Sequence, residues 1–438
     1  MINLIGMEKV LIIGCARSGY WVTKLLNKKG YDVTITDAKR IEYKDELLNL
    51  GVKVYDNGHP ELLKEIKWDF IVKNPGIPYT NNFVDYFVKK GIKIYTEIEI
   101  ALRYGSYGIG AITGTNGKTT ITTLLNEILK KDFISYACGN IGTPLSEIVY
   151  KHENEDAKLA LEISAFQLLG APSFHPSVAV VTNLTPDHLD YFSSLDDYYR
   201  AKTLVYKNMS DDDWFLRNLD DEKVLEYVKD VKCRVIDYSL NKKADLYLRG
   251  DDVVLFDEVL FNKNDLKIIG MHNLQNAMVA AAMAYKLGAK KESIKEVISS
   301  FKGVEHRIEF VKEINGVKYY NDSKGTNVDS TVIALKAFDK PVILLAGGHD
   351  KHTGFNDLYN YKDKIKYLIT FGETRDELAK LKDDAYICEN MKEALDKAYS
   401  LAKNGDIVLL SPACSSYDQF KNFEERGEIF KELVRNLK

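Results

Sequence analysis

Short, nearly continuous runs of Val, Ile and Leu recur along this chain, separated by stretches in which apolar residues return every three or four positions. The runs KVLIIG, YDVTITD, DFIVKNPG, IGAITG, LALEIS, VAVVTNLT, PVILLAGG, YLITFG and DIVLLSPA have the length of strands. Their lack of polar alternation is what burial on both faces of a parallel sheet requires. Amphipathic intervals of helical length between them set a βαβ rhythm, so the expected fold is α/β. Residues 240–268, with ADLYLRG and DDVVLFDEVLF, read instead as short β segments forming a small antiparallel insert.

The rhythm breaks twice. One joint follows KKGIKIYTEIEIA; the other lies near VEHRIEF, where the Ala-rich stretch NLQNAMVAAAMAYKLGA gives way to a new strand-rich region. Three α/β units are expected: 1–97, 98–303 and 304–438. A chain of 438 residues accommodates them at roughly 100–200 residues per domain.

Composition narrows the function classes. Sixty basic and 64 acidic residues leave a net charge of -4 with no basic block, so neither nucleic acid nor a membrane is an expected partner. Five cysteines without CxxC spacing argue against a disulfide framework and a zinc site. No apolar stretch approaches the ~20 residues a membrane span needs. The N-terminus lacks the basic segment of a signal peptide. A cytoplasmic location is expected.

The strongest local signal is Gly114-Thr115-Asn116-Gly117-Lys118-Thr119-Thr120, between the strand IGAIT and a helical stretch. Backbone N–H groups of such a turn and the helix N-terminus attract phosphate. Lys118 would reach the β- and γ-phosphates, and the Thr119 hydroxyl would meet Mg2+. Two residues separate the glycines where the general pattern has four, and a Gly-Asn turn capping a helix is the plainer reading. The sequence Gly14-Cys15-Ala16-Arg17-Ser18-Gly19 makes a second such turn, with Asp37 eighteen residues further on. It reads as a dinucleotide-type βαβ unit, or simply as a tight strand-to-helix turn.

Glu162 ends the strand LALEIS, and Asp187, His188 and Asp190 follow VAVVTNLTP. Both positions lie beyond the carboxyl ends of expected parallel strands, where open α/β sheets bind ligands. Lys202, in YYRAKTLVY, reads on composition as a surface lysine. Three polar loops follow three strands of the last unit: residues 321–327 (NDSKGTN), 347–351 (GGHDK) and 411–420 (SPACSSYDQF). They are expected to converge on one sheet edge. Cys414 could be a nucleophile, but a core thiol explains it equally.

Taken in order, GTNGKTT, GNIG, LEISAFQL, TNLTPDHLD, YRAK, HNLQNA, HR (306–307), NDSKGTN and SPACSSYDQFKNFEERG resemble the Mur ligases over essentially the whole chain. Within that family the SPACSSYDQF segment favours D-glutamate addition. The resemblance implies a Rossmann-like N-terminal domain for a UDP-sugar, a P-loop central ATPase domain with a parallel sheet, and an α/β C-terminal domain for the amino acid. It implies ATP and two Mg2+ ions, and UDP-N-acetylmuramoyl-L-alanine and D-glutamate as substrates of a monomer. Lys118, Glu162, His188 and Lys202 would be catalytic. Thr119, Glu162, His188 and a carbamate on Lys202 would hold metal. ATP would meet residues 114–120, Asn273, Arg307 and Asp322. The UDP-sugar would meet Cys15, Ala16, Arg17, Ser18, Asp37, Asn74 and Asn140. Lys324, Thr326, Lys351, Ser416 and Phe423 would surround D-glutamate. The chain departs from its relatives at Cys15, where Leu is commoner, and at His349.

A carboxylate is a poor electrophile because its oxygen does not leave. Transfer of the γ-phosphoryl group would turn it into an acyl phosphate, which an amine can attack. The base that frees this amine is left open. The rival readings are a folate-type ligase, a nucleotide sensor without turnover, and a dehydrogenase suggested by the N-terminal turn.

Overall fold

The computed structural model describes residues 7–153, 155–187, 191–349 and 354–437. Every apolar run named above becomes a strand, and among the described residues the strands form three sheets. The first contains β1 (Lys9–Ile13), β2 (Asp32–Thr36), β3 (Lys53–Tyr55), β4 (Phe70–Lys73) and β5 (Ile94–Tyr95), in the order β3-β2-β1-β4-β5. All its pairings are parallel. The chain order reverses between β1 and β4, so the loops after these two strands open into one crevice.

The second sheet contains β6 (Gly108–Thr113), β7 (Ile134–Gly139), β8 (Ala157–Glu162), β9 (Val178–Val181), β10 (Trp214–Asn218), β11 (Arg234–Ser239), β12 (Leu246–Arg249), β13 (Asp252–Leu255) and β14 (Glu258–Asn262). Its order is β14-β13-β12-β11-β10-β9-β6-β8-β7. β6 lies between β8 and β9, parallel to both. The expected antiparallel insert is present, but it continues the parallel sheet: β12 pairs parallel with β11, and β13 and β14 add antiparallel strands at that edge. The strands β7, β10 and β11 escape the apolar-run pattern because each carries polar residues, as in ISYACG and WFLRN.

The third sheet contains β15 (Glu309–Ile314), β16 (Val317–Asn321), β17 (Val342–Gly347), β18 (Ile365–Phe371), β19 (Tyr386–Ile387) and β20 (Ile407–Leu410), in the order β15-β16-β20-β17-β18-β19. Among the described residues only β15 is antiparallel to its neighbour in this sheet. Because β16, β20 and β17 are adjacent and parallel, the three polar loops leave the same sheet edge side by side.

The chain divides into two compact units, Met1–Lys263 with Ala277–Val297, and Asn264–Asn276 with Ile298–Lys438. The first unit holds the first two sheets. They are joined around residue 97 by buried polar contacts. Thr96 Oγ1 donates to the Gln167 carbonyl at 2.8 Å, and the buried Glu97 carboxylate accepts from Ser146 N–H at 2.5 Å. The Trp21 and Tyr150 rings, 5.6 Å apart, pack the helix Arg17–Lys28 against the helix Leu145–His152. Among the described residues no helix is long and apolar enough to cross a membrane.

Candidate active site

The phosphate loop leaves β6 between the ends of β8 and β9. Gly117 takes φ +86° and starts the helix Lys118–Leu129, whose N-terminus no side chain caps. An uncapped helix start presents N–H groups and partial positive charge to an anion. The turn itself is held from the neighbouring loop. Thr115 N–H donates to the Asn183 carbonyl at 3.0 Å and Asn116 N–H to Asn183 Oδ1 at 2.8 Å. Thr182 Oγ1 and Asn183 Nδ2 both donate to the Asn116 carbonyl, at 2.7 and 3.1 Å. Two of the turn's amides, those of Thr115 and Asn116, thus hold its shape. Asn183 was not singled out by sequence, although it lies inside the motif TNLTPDHLD.

Glu162, at the end of β8, is buried and gathers two expected site residues. Its Oε2 accepts from Thr119 Oγ1 at 3.0 Å, and its Oε1 from Asn140 Nδ2 at 2.8 Å. Asn140, expected beside the UDP-sugar, therefore joins the Glu162 cluster, and its own N–H donates to the Glu162 carbonyl at 2.8 Å.

Lys202, read on composition as a surface residue, is only 2% exposed. Helical spacing in Leu195–Thr203 turns it inward with Tyr198, whose ring lies 4.4 Å from its ammonium. Lys202 Nζ donates to the Gly114 carbonyl at 2.8 Å, and Lys118 Nζ to the same carbonyl at 2.9 Å and to that of Thr115 at 2.7 Å. Burial, and then the nearby Lys118 charge, hold the Lys202 amine well below the ordinary lysine range. His188 and Asp190 lie outside the described residues; Asp187 is half-buried.

In the first sheet, the Gly14 turn and the loop after β4 face each other. Gly14 has φ +94°, and a Cβ there would lie 2.8 Å from the Asn74 side chain. Asn74 Nδ2 reaches Ser18 Oγ at 3.5 Å, and Asn74 Oδ1 accepts from Gly76 N–H at 3.0 Å. Gly19 allows the helix to press onto the turn, since a Cβ would sit 1.9 Å from the Gly14 carbonyl. The Asp37 carboxylate accepts from Cys15 N–H at 2.6 Å and from Lys39 N–H at 2.8 Å. Burial and the Asp37 charge push the Cys15 thiol up to about 12, so it is inert at neutral pH. Ala16 precedes the helix without a side-chain cap, and Arg17 is exposed, 3.9 Å from Glu147. Beside this crevice lies a residue that sequence reading passed over, the buried Lys73 at the end of β4.

In the second unit the three loops do converge. Asp322 Oδ2 accepts from Ser411 Oγ at 2.6 Å, and His349 pairs with Ser415 through a backbone bond of 2.9 Å. Asp322 is buried, and loss of water raises its carboxyl to about 7. The hub is Arg426, fully buried. Its guanidinium donates to Ser323 Oγ and to the carbonyls of Ser323, Ser415 and Cys414, at 3.0, 2.8, 3.2 and 3.1 Å. Sequence reading did not single it out; its only signal was its place within the SPACSSYDQFKNFEERG motif. Lys324 Nζ lies 5.4 Å from the Phe423 ring, Thr326 N–H donates to the Lys324 carbonyl, and Ser416 is buried. Lys351 lies outside the described residues. Cys414, in contact with Thr374 Oγ1 at 3.2 Å, is buried among core residues. Asn273 Nδ2 donates to the Ile269 carbonyl at 2.7 Å. Arg307 Nε is buried and has no hydrogen-bond partner among the described residues, and burial followed by the Arg307 charge lowers His272 to about 4.

The chain is similar to two family models, described as Mur ligase middle domain over residues 112–284 and as Mur ligase, glutamate ligase domain over residues 306–414. It is 40% identical over 443 residues to the UDP-N-acetylmuramoylalanine--D-glutamate ligase of Bacillus subtilis, covering 98% of each chain. The ligases of the same name from Ligilactobacillus salivarius and Listeria monocytogenes are 40% and 38% identical, over 98% of this chain and 96% and 97% of theirs. Among solved structures, a UDP-N-acetylmuramate-alanine ligase from Thermotoga maritima matches with TM-score 0.61 at 19% identity, over 99% of this chain and 100% of that one. A pseudomurein peptide ligase type C from Methanothermus fervidus matches with TM-score 0.60 at 19% identity, over 98% of this chain and 100% of that one. These structural likenesses concern the fold.

Proposed function

The chain belongs to the Mur ligase family, and from that premise we propose that it joins D-glutamate to UDP-N-acetylmuramoyl-L-alanine at the expense of ATP, in the cytoplasm, as a step of peptidoglycan precursor synthesis. The alanyl carboxylate takes the γ-phosphoryl group and ADP leaves. The D-glutamate amine then attacks the acyl phosphate, an amide forms, and phosphate leaves. The observation that carries this reading is the Glu162 carboxylate bound to the Thr119 hydroxyl beside an uncapped helix start. That arrangement suits a nucleotide phosphate together with a hard cation.

The donor set fits Mg2+, which prefers oxygen ligands and phosphate. Thr119 and Glu162 would hold one ion; Glu162, His188 and Lys202 would hold a second. When bound, the ions neutralise charge on the transferring phosphoryl group. The protein's own contribution is positioning. The helix start from Lys118 to Thr120 receives the phosphates, and the Lys118 ammonium swings from the Gly114 and Thr115 carbonyls to the γ-phosphate. The buried Lys202 amine, once it has given up its ammonium proton, adds to CO2, forming an N–C bond and releasing a further proton. The resulting carbamate replaces a like-charge conflict with Lys118 by an attraction, and supplies an oxygen ligand. Arg307, with its buried unpaired Nε, is suited to a nucleotide phosphate, with Asn273 and Asp322 toward the rest of ATP. Ser18, Asn74 and the Gly14 turn receive the UDP-sugar, with Asp37 shaping the turn. Lys324, Thr326, Lys351, Ser416 and Phe423 receive D-glutamate. The working division is 1–97, 98–303 and 304–438, in a monomer.

The test is phosphate release from ATP with Mg2+ and UDP-N-acetylmuramoyl-L-alanine across a panel of D- and L-amino acids, repeated with Lys118→Ala. Release that depends on D-glutamate and disappears in the variant is expected. Release with a different amino acid would discard the assigned substrate, and none at all would discard the ligase reading.

A further inference from the structure

Lys73 closes β4 with no solvent exposure, and its ammonium sits within a ring of oxygens. Nζ donates to the Ile77 carbonyl at 2.8 Å and lies 3.4 and 3.5 Å from the carbonyls of Pro75 and Asn74. It also lies 3.3 Å from the Tyr191 hydroxyl, which itself donates to the Ile77 carbonyl at 3.3 Å. The Tyr79 ring covers it at 4.4 Å. Burying an ammonium is costly, and a core position at a strand end is ordinarily filled by an apolar residue. Here the charge has a specific task. Three carbonyls of one four-residue turn point inward at one cation, while the Asn74 side chain reaches Ser18 and accepts from the Gly76 N–H. Tyr191 belongs to the segment after β9, so the same ammonium ties the crevice of the first sheet to the neighbourhood of the phosphate loop.

We propose that Lys73 is a positioning residue for the UDP-sugar, an internal cation that folds the Asn74–Ile77 turn into its binding shape and fastens it to Tyr191. This rests on the assignment of the crevice to the UDP-sugar. Lys73 touches no substrate and acts through the turn. Burial holds its amine down to about 8, whereas burial raises Tyr79 and Tyr191 to about 12. Lys73 is therefore the group facing this turn that changes charge near pH 8, and its grip weakens as pH rises through that value.

The experiment compares the wild-type chain with Lys73→Met, Lys73→Arg and Tyr191→Phe, varying each substrate in turn. Lys73→Met is expected to raise KM for UDP-N-acetylmuramoyl-L-alanine at least tenfold, with KM for ATP and D-glutamate within threefold and with partial recovery in Lys73→Arg. The wild-type KM for the UDP-sugar should rise above pH 8 relative to that of Lys73→Met. Tyr191→Phe, which retains the packing, should raise the same KM several-fold. It carries the test if Lys73→Met does not fold. Equal changes in all three KM values, or none, would overturn the proposal. Failure of the wild-type chain to bind the UDP-sugar by calorimetry would instead overturn the assignment beneath it.

Discussion

Lys118 and Lys202 donate to the same atom, the Gly114 carbonyl oxygen, at 2.9 and 2.8 Å. Lys202 is buried and Lys118 half-buried, and burial first, then the Lys118 charge, makes the Lys202 amine release its proton more readily. The proposed carbamate on Lys202 rests on this placement. Lys202→Arg, which keeps a cation but cannot form a carbamate, should lose on the order of 100-fold in kcat. Wild-type activity should fall in bicarbonate-depleted buffer and return on adding bicarbonate. A 13C signal from labelled bicarbonate, present in the wild type and absent in Lys202→Arg, would identify the adduct.

Glu162 accepts from Thr119 and Asn140 at once. Replacing it with Gln keeps the shape and removes the charge that attracts a cation. The expected result is a rise in the Mg2+ concentration needed for half-maximal activity and a loss of roughly 10²–10³ in kcat. A magnesium titration of Glu162→Gln that matches the wild type would remove Glu162 from the metal site.

Glu97 is buried between the first two sheets, and loss of water raises its carboxyl from the ordinary 4.5 to about 7. A raised carboxyl means that the folded chain prefers the protonated form. Its stabilising contribution is complete below about pH 4.5 and is lost as pH rises to about 7. Glu97→Gln should flatten this dependence, amounting to about 3 kcal/mol at most. Melting temperatures measured from pH 5 to 8 would show it as a difference between wild type and variant that grows with pH.

Arg426 satisfies three backbone carbonyls with one side chain. Arg426→Met fills the space but leaves those carbonyls buried and unpaired, at a cost of about 3 kcal/mol or more. Urea denaturation should show an earlier transition for the C-terminal part of the chain. KM for D-glutamate should rise while nucleotide binding by the first unit is retained.

Much of this was legible along the chain. The apolar runs became strands because a parallel sheet buried on both faces tolerates little else, and turns such as GTNGKTT announced themselves by glycine and helix punctuation. The side-by-side exit of NDSKGTN, GGHDK and SPACSSYDQF followed from three parallel strands, although only the pairing of β20 between β16 and β17 made them neighbours. The polar strands β7 and β10 were missed because their apolar pattern is broken.

The sequence by itself determined the fold class, the phosphate loop and the order of the polar loops, since these depend on local periodicity and turn chemistry. The tertiary structure alone decided where the buried charges fell. On composition Lys202 is a surface lysine, Lys73 a strand-end residue and Arg426 an ordinary charged position. Each is buried because distant segments surround it and remove water. Burial and the direction of a side chain toward a partner a hundred residues away, as between Arg426 and Ser323, are properties of packing. Residue type and spacing carry no record of them.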